Sequence, residues 1–458
     1  MQLAFLHQST EQRRAQILNG PISRSIMLLS VPSLLLGLVQ SLLPLIDGLF
    51  INNTSGTIVA SAVTFSTPVI NMMTSLAQGL SVAAMAIIGQ FNGRGNFSEA
   101  RRTSTQIVVV GALLGCVSAP FLLGMGFLIS GSVNADISRD VFLYLSLNAF
   151  VLPFSFLESI YNGIKNANGK PEAPFVRMII MLFLKIAFNV ICLSWLRLGI
   201  VGCVLSSFLA NLIVTVWMFW ELFVKDDPDR LVLKGFRFDG KIVRTIARIG
   251  FPAMLNAFFL NLGFYLINME TEKYGAIVLN GQGIASNISA VCFILPSSFS
   301  AAVTTMVSMN IGAGNVAKAK RACFSGTIIS AITAVAVIAV IVPVSSYLTI
   351  LFTREADVLA VANRALHIYT YSVVGFGVCM TIQGAFIGLG RTRVPLILGI
   401  MRIWFLRYIF IIATERYLSY YSVFWGNLFS NYTAAIISII LISRVTWTSA
   451  IEKKKSQA

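Results

Sequence analysis

Long apolar runs alternate with short polar breaks along almost the whole chain. Twelve such runs cover residues 25–52, 58–90, 103–130, 138–165, 174–195, 199–223, 244–270, 276–311, 322–346, 357–387, 394–415 and 420–443. A bilayer core takes roughly 20 helical residues, so each run predicts one transmembrane helix. None shows the period-two alternation of a barrel strand, and helices are then the remaining way to satisfy backbone polar groups in lipid. Runs two and eight exceed that length and should tilt, bend or protrude. Residues 1–24 are polar, carry Arg13, Arg14 and Arg24, and do not read as a signal peptide.

The polar breaks repeat. "NGRGNFSEARR", Asn92 to Arg102, resembles "IGAGNVAKAKR", Ile311 to Arg321, with Gly93, Gly95, Asn96, Ala100 and Arg102 matching Gly312, Gly314, Asn315, Ala319 and Arg321. "VPSLLLG" pairs its Pro32 with Pro252 of "FPAMLNA", and "NANGKPEAP" pairs Gly169 and Pro174 with Gly390 and Pro395 of "GLGRTRVP". One offset near 220 residues fits all three landmarks. The expected architecture is therefore an all-α polytopic membrane protein of twelve helices in two six-helix bundles. An even number of spans gives both bundles one orientation, so a pseudo-two-fold axis along the membrane normal relates them, with a cavity between. The expected division is a polar segment 1–24, bundles 25–223 and 244–443, a basic linker 224–243 and a tail 444–458.

Composition agrees and charge adds an orientation. Of the 458 residues 56% are hydrophobic and only 11% charged, against about 25% charged in soluble domains. The formal charge of +16 suggests nucleic acid until its placement is considered. With the N-terminus cytoplasmic, inside segments hold about 25 basic residues and outside loops about five, the positive-inside asymmetry. Both termini are then cytoplasmic, and the excess charge serves topology and attraction to the lipid bilayer rather than nucleic acid. Six scattered cysteines (Cys116, Cys192, Cys203, Cys292, Cys323 and Cys379) read as small core residues. With two histidines, His7 and His367, neither a metal site nor a Ser-His-Asp centre is readily built, so no metal, no cofactor and no enzyme activity is expected.

Taken together, three features resemble the multidrug and toxic compound extrusion (MATE) transporters. They are the opening "ILNGPISRSIMLLSVPSLLLGLVQSLLPLIDGLFINN", the long second helix running through "QGLSVAAMAIIGQFNGRGNFSEARR" into a basic loop, and the glycine-basic-proline turn before helices five and eleven. The resemblance covers nearly the whole chain. It implies an inner-membrane or plasma-membrane exporter that exchanges inward-moving H⁺ or Na⁺ for outward-moving organic molecules, often amphipathic cations; a monomer is expected.

Against that background Asp47 is the leading candidate. It stands in an apolar run, three residues after Pro44 and roughly 8 Å below the outer end of helix one. A carboxylate there costs several kcal/mol unless paired, hydrated or protonated. It either caps or bridges the helix end, or it is a reversible proton or cation site beside a hinge at Pro44. The resemblance implies the second role. Asn189 in helix five is about level with it and can bond a carboxylate in either protonation state; the family's helix-five asparagine matches it. Lys185, one turn deeper, either reaches Asp47 or faces the cavity. A lone acid with a lysine nearby favours H⁺ over Na⁺. Glu158 is either a second proton station or a packing pair with Lys185 or Arg177. In the second half, Ile267 occupies the repeat counterpart of Asp47, and no acid stands where one branch of the family has a helix-seven glutamate. That half offers Asn256, Asn261, Tyr265, Gln282 and Asn287 as neutral cavity groups. It also offers Arg402 and Arg407, which either brace helices or select an anionic substrate. Two functions therefore stay open: a proton-driven exporter of amphipathic molecules, or a flippase or exporter for an anionic or lipid-linked metabolite.

Overall fold

A computed structural model describes residues 10–131, 135–274, 276–350 and 356–449. The helices, in order, are α1 (Thr10–Asn19), α2 (Ile22–Gly93), α3 (Phe97–Ser130), α4 (Ala135–Asn148), α5 (Leu152–Ala167), α6 (Glu172–Asn189) and α7 (Gly199–Phe219). After the linker come α8 (Gly240–Glu272), α9 (Ala276–Gly312), α10 (Val316–Ile350), α11 (Ala356–Gly388), α12 (Arg393–Ile400), α13 (Ile409–Leu418) and α14 (Tyr421–Arg444). Among the described residues three π-helical segments extend or join them: Val190–Trp195, Trp220–Val224 and Met401–Tyr408. Among the described residues eleven stretches are long and apolar enough to cross a bilayer, and α4 with α5, bent by 50°, makes up to a twelfth. Pro153 in the first turn of α5 accounts for that bend, since it cannot continue the hydrogen-bond ladder.

One expected break is not seen. The backbone is helical from Ile22 to Gly93, through the turn expected near 53–57. The segment Asn-Thr-Ser-Gly-Thr at 53–57 holds no proline, so nothing in it forbids helix. The two apolar segments, Ile22–Gln40 and Val69–Gly93, lie at the ends of this run.

The internal repeat is visible in detail. Gly95 and Gly314 both take positive φ, 76° and 78°, as do Gly169 and Gly390 at 72° and 76°. These left-handed positions end a helix at little cost only with glycine. Asn96 Oδ1 then accepts the Glu99 N–H, and Asn315 Oδ1 the Lys318 N–H, each at 3.3 Å. A second matched pair was hidden in the sequence. A Cβ on Gly163 would lie 2.6 Å from the Ser81 carbonyl oxygen, and one on Gly384 would lie 2.4 Å from that of Ser300. Helices α5 and α2, and α11 and α9, therefore touch backbone to backbone at equivalent points. Gly384→Ala is expected to destabilise the protein by about 1–3 kcal/mol, because the obstacle is backbone and cannot rotate away. Gly283→Ala, with open space around it, should be neutral or slightly stabilising in the same detergent melting experiment.

The chain forms two compact units whose boundary departs from the expected linker. One holds Met1–Gln16 and Leu35–Ala257, the other Ile17–Leu34 and Phe258–Ala458. In the first, Gly250 of α8 abuts Gly79 of α2, where a Cβ on Gly79 would meet the Gly250 oxygen at 2.7 Å. In the second, Ile26 and Leu29 pack with Phe299, Ala302 and Met306, and Lys318 Nζ bonds the carbonyls of Leu18 and Gly20 at 2.6 and 2.8 Å. The opening segment of each sequence half thus belongs to the unit built mainly from the other half. Five cysteines are buried as expected, and Cys116 is exposed on the outer face of α3.

Candidate functional site

In the first unit the described polar groups converge on α5, α6 and α7. Asn189 is fully buried at the junction where α6 passes into the π-helical Val190–Trp195. Such wide turns re-aim side chains and are frequent at functional sites. Ser206 of α7 donates to Asn189 Oδ1 at 2.5 Å and lies 2.8 Å from the Cys203 carbonyl. The Asn189 carbonyl is thereby taken up, and its amide nitrogen is the donating end. Lys185 is half-buried one turn before it. The backbone stays helical through Pro44 and Asp47, but the side chains of both lie outside the described residues.

Glu158 is 2.8 Å from Arg177, whose side chain is 1% exposed. The two groups form a close ion pair with almost no solvent around the guanidinium. Lys185 also acts electrostatically on Glu158. Of the two partners foreseen, Arg177 is the one in ion-pair contact.

A second polar knot, not anticipated, sits toward the Ala167 end of α5. Glu221 accepts from Tyr161 at 2.5 Å and from Lys165 at 2.6 Å. Lys170 pairs with Asp229 at 2.8 Å, and Asn92 donates to Asn168 at 2.8 Å. Arg13 of α1 is 2.5 Å from Glu172; burial pulls its guanidinium below its ordinary value, against the pull of Glu172. For Asp227 in the linker, burial works to raise the carboxyl. The Asp229 N–H and the charges of Lys170, Lys165 and Lys225 outweigh it and hold the group below the usual carboxylate range. The available signal was the i, i+4 pairing of Tyr161 and Lys165, together with the lone acid Glu221 at the end of helix six. Asn256, also in this unit, is half-buried with its Oδ1 unpartnered.

The second unit carries a different chemistry. Ile267, standing where the repeat would put an acid, is 1% exposed in an apolar cluster. Arg402 and Arg407 are buried on the π-helical Met401–Tyr408. Its i→i+5 pattern stacks residues five apart, which brings the two arginines toward one face. Arg402 donates to Asn431 Oδ1 at 2.9 Å and lies over the Phe376 ring at 5.1 Å. Arg407 lies 5.9 Å from the Phe264 ring and 6.0 Å from that of Tyr369. Among the described residues no carboxylate bridges either guanidinium, and both Nε atoms lack a partner. Gln282 is buried with its Oε1 unpartnered. Asn261 and Asn287 are exposed, and the Tyr265 side chain lies outside the described residues. No group of His, Cys, Asp and Glu able to hold a metal occurs among the described residues.

Comparison with known proteins follows this geometry. The MatE family model matches residues 32–191 and again 252–412, the two repeats read from the loops. A probable multidrug resistance protein, YoeA of Bacillus subtilis, is 24% identical over 399 residues, covering 83% of this chain and 84% of its own. The multidrug resistance protein MdtK of Cronobacter sakazakii is 24% identical over 317 residues, covering 67% and 69%. Among solved structures, an outward-facing multidrug resistance MATE family transporter of the MOP superfamily superposes with a TM-score of 0.88. It is 22% identical, over 93% of this chain and 96% of that one.

Proposed function

Because the chain belongs to the MatE family of transporters, we propose that it is a secondary antiporter exporting amphipathic organic molecules in exchange for protons. It is a membrane transporter and not an enzyme. The observation that carries the coupling assignment is the asymmetry between its halves. Asp47 is an acid in an apolar helix, while its counterpart Ile267 is packed in core. Coupling therefore rests on the first unit.

In this reading Asp47 takes a proton from outside and releases it inside. Asn189, its carbonyl engaged by Ser206, presents its amide to the carboxylate. Lys185 tunes the site and disfavours Na⁺ by its charge. Neutralising Asp47 lets helix one bend at Pro44, and alternating access follows from rocking of two helical bundles. Both termini face the cytoplasm of an inner or plasma membrane, and the protein acts as a monomer. Asn256, Asn261, Tyr265, Gln282 and Asn287 serve as neutral cavity groups.

The test is transport in proteoliposomes. An imposed proton gradient is expected to drive a fluorescent lipophilic cation, and a protonophore to abolish the movement. Movement that follows a Na⁺ gradient and ignores pH overturns the proton assignment. A second reading, export of an anionic or lipid-linked metabolite, is favoured by Arg402 and Arg407, two buried cations without a carboxylate partner among the described residues. It expects the same proton gradient to drive an anionic amphiphile but not the cation. Arg402→Met should then abolish that flux.

A further inference from the structure

The linker between α7 and α8 builds a pocket that transport chemistry does not use. Five cations, Arg101, Arg102, Arg230, Lys234 and Arg237, line one cavity of 530 Å³, and no acid is among its lining residues. One wall is the first turns of α3 and the other is the linker itself. The linker is clamped there: Arg101 donates to the Pro228 carbonyl at 2.9 Å, Arg230 to that of Phe223 at 2.8 Å, and Gln106 to that of Arg237 at 2.6 Å. Two carboxylates face the pocket's cations, Asp239 at 3.1 Å and Glu99 at 3.7 Å, both on Arg102. Five cations against two acids leave a surplus of three positive charges. Lys234 and Arg237 make no described ion pair.

A second observation concerns what stands beside these charges. The strip "LVLKGFRF", Leu231 to Phe238, alternates apolar and basic residues. A turn closed by the Phe236 N–H on the Leu233 carbonyl (3.0 Å), with Gly235 at φ 78°, folds it back on itself. Val232 is 63% exposed, Leu233 43% and Phe238 58%. The rings of Phe236 and Phe238 meet edge to face at 5.0 Å. The strip joins the end of one span, at Val224, to the start of the next, at Gly240. It therefore lies where spans leave the bilayer. Exposed apolar side chains beside a basic pocket at that depth match the chemistry of an anionic lipid surface.

We propose that this pocket binds the headgroup phosphate of an anionic glycerophospholipid, with Val232, Leu233 and Phe238 against its acyl region. The positive-inside reading places it in the cytoplasmic leaflet. Bound lipid pins the linker joining the two sequence halves to the membrane surface.

The test is native mass spectrometry of the full chain in micelles containing equal amounts of phosphatidylglycerol and phosphatidylcholine, with inorganic phosphate titrated separately. Wild type is expected to retain phosphatidylglycerol selectively. The double variant K234Q/R237Q should retain it more weakly, by about fivefold for each cation removed. Val232→Ser with Phe238→Ser should weaken lipid retention without changing the response to phosphate, and Arg416→Gln, elsewhere on the surface, should change neither. Equal retention of the two lipids, or wild-type retention by the double variant, overturns the proposal. So does full displacement of phosphatidylglycerol by millimolar phosphate, which makes the site one for the free ion. Should the double variant melt early, Lys234→Gln alone, on an exposed turn, carries the same expectation at fivefold.

Discussion

Asp47→Asn is expected to reduce proton-driven transport to the level of protein-free liposomes, in a variant that folds as well as the parent. The substitution keeps the size, makes the group permanently neutral and exchanges one acceptor oxygen for a donating NH2. A charged aspartate inside a membrane helix costs up to about 2.5–3.5 kcal/mol, and a neutral amide costs less to bury than a carboxylate. Melting in detergent should be unchanged or higher, which separates lost coupling from lost structure. The neutral side chain imitates the protonated state permanently. Substrate binding is therefore expected to persist and to lose its dependence on pH. Transport by the variant at the parent's rate sinks the role of Asp47. Transport that is lost together with melting stability assigns Asp47 to structure instead. The second half provides an internal control. Ile267→Asp introduces an acid at the equivalent place, into a cluster that is now apolar. It should destabilise the protein without adding a second coupled proton, since Asn189 and its Ser206 contact belong to the other unit.

The repeat explains why much of this was legible without coordinates. Glycine, asparagine and proline in the loops announce themselves, because left-handed φ, side-chain capping and the missing N–H each restrict the residue that fits. Gly95 with Gly314 and Gly169 with Gly390 match through the similarity of their loops and adopt the same turns. Gly163 and Gly384 obey the same repeat but sit inside helices, where a glycine has no local signature and its reason is a neighbour's backbone. The exchange of Ile17–Leu34 and Gly240–Ala257 between units was illegible for a related cause. It depends on which helix Gly250 and Ile26 meet, and apolar periodicity names a buried face without naming its partner. The π-helical turn under Arg402 and Arg407 is a tertiary choice as well. Read as ordinary α-helix, residues five apart diverge, and the sequence left them as two separate arginines. The linker was noted only as basic, and its pocket required Arg101 and Arg102 from a segment more than 120 residues away.

Glu158→Gln should separate the two roles proposed for that residue, because they differ in sign on stability. As an ion pair with Arg177 it balances a guanidinium that is 1% exposed. Removing one member of such a pair strands the other charge, at a typical cost of about 3–5 kcal/mol. Arg177 has little recourse, since two of its nitrogens already lack hydrogen-bond partners and Lys185, the other charge acting on Glu158, is a cation. A large drop in melting temperature is the expected result, with turnover per folded molecule and its pH profile unchanged. Replacing both members, by Glu158→Leu with Arg177→Met, should recover most of the loss, because well-packed apolar side chains of similar volume often match or exceed a buried pair. A proton station gives the opposite pattern. The single variant then melts like the parent, transports with a shifted pH profile, and gains nothing from the second substitution. The 2.8 Å approach to a guanidinium only 1% exposed favours the first outcome. The pair ties α5 to α6, near the α6 segment whose end presents Asn189 at the π-helical turn. On the proposed reading, loss of the pair is thus expected to reach Asp47 and Asn189 only through stability, and the pH profile of transport is expected to follow Asp47 alone.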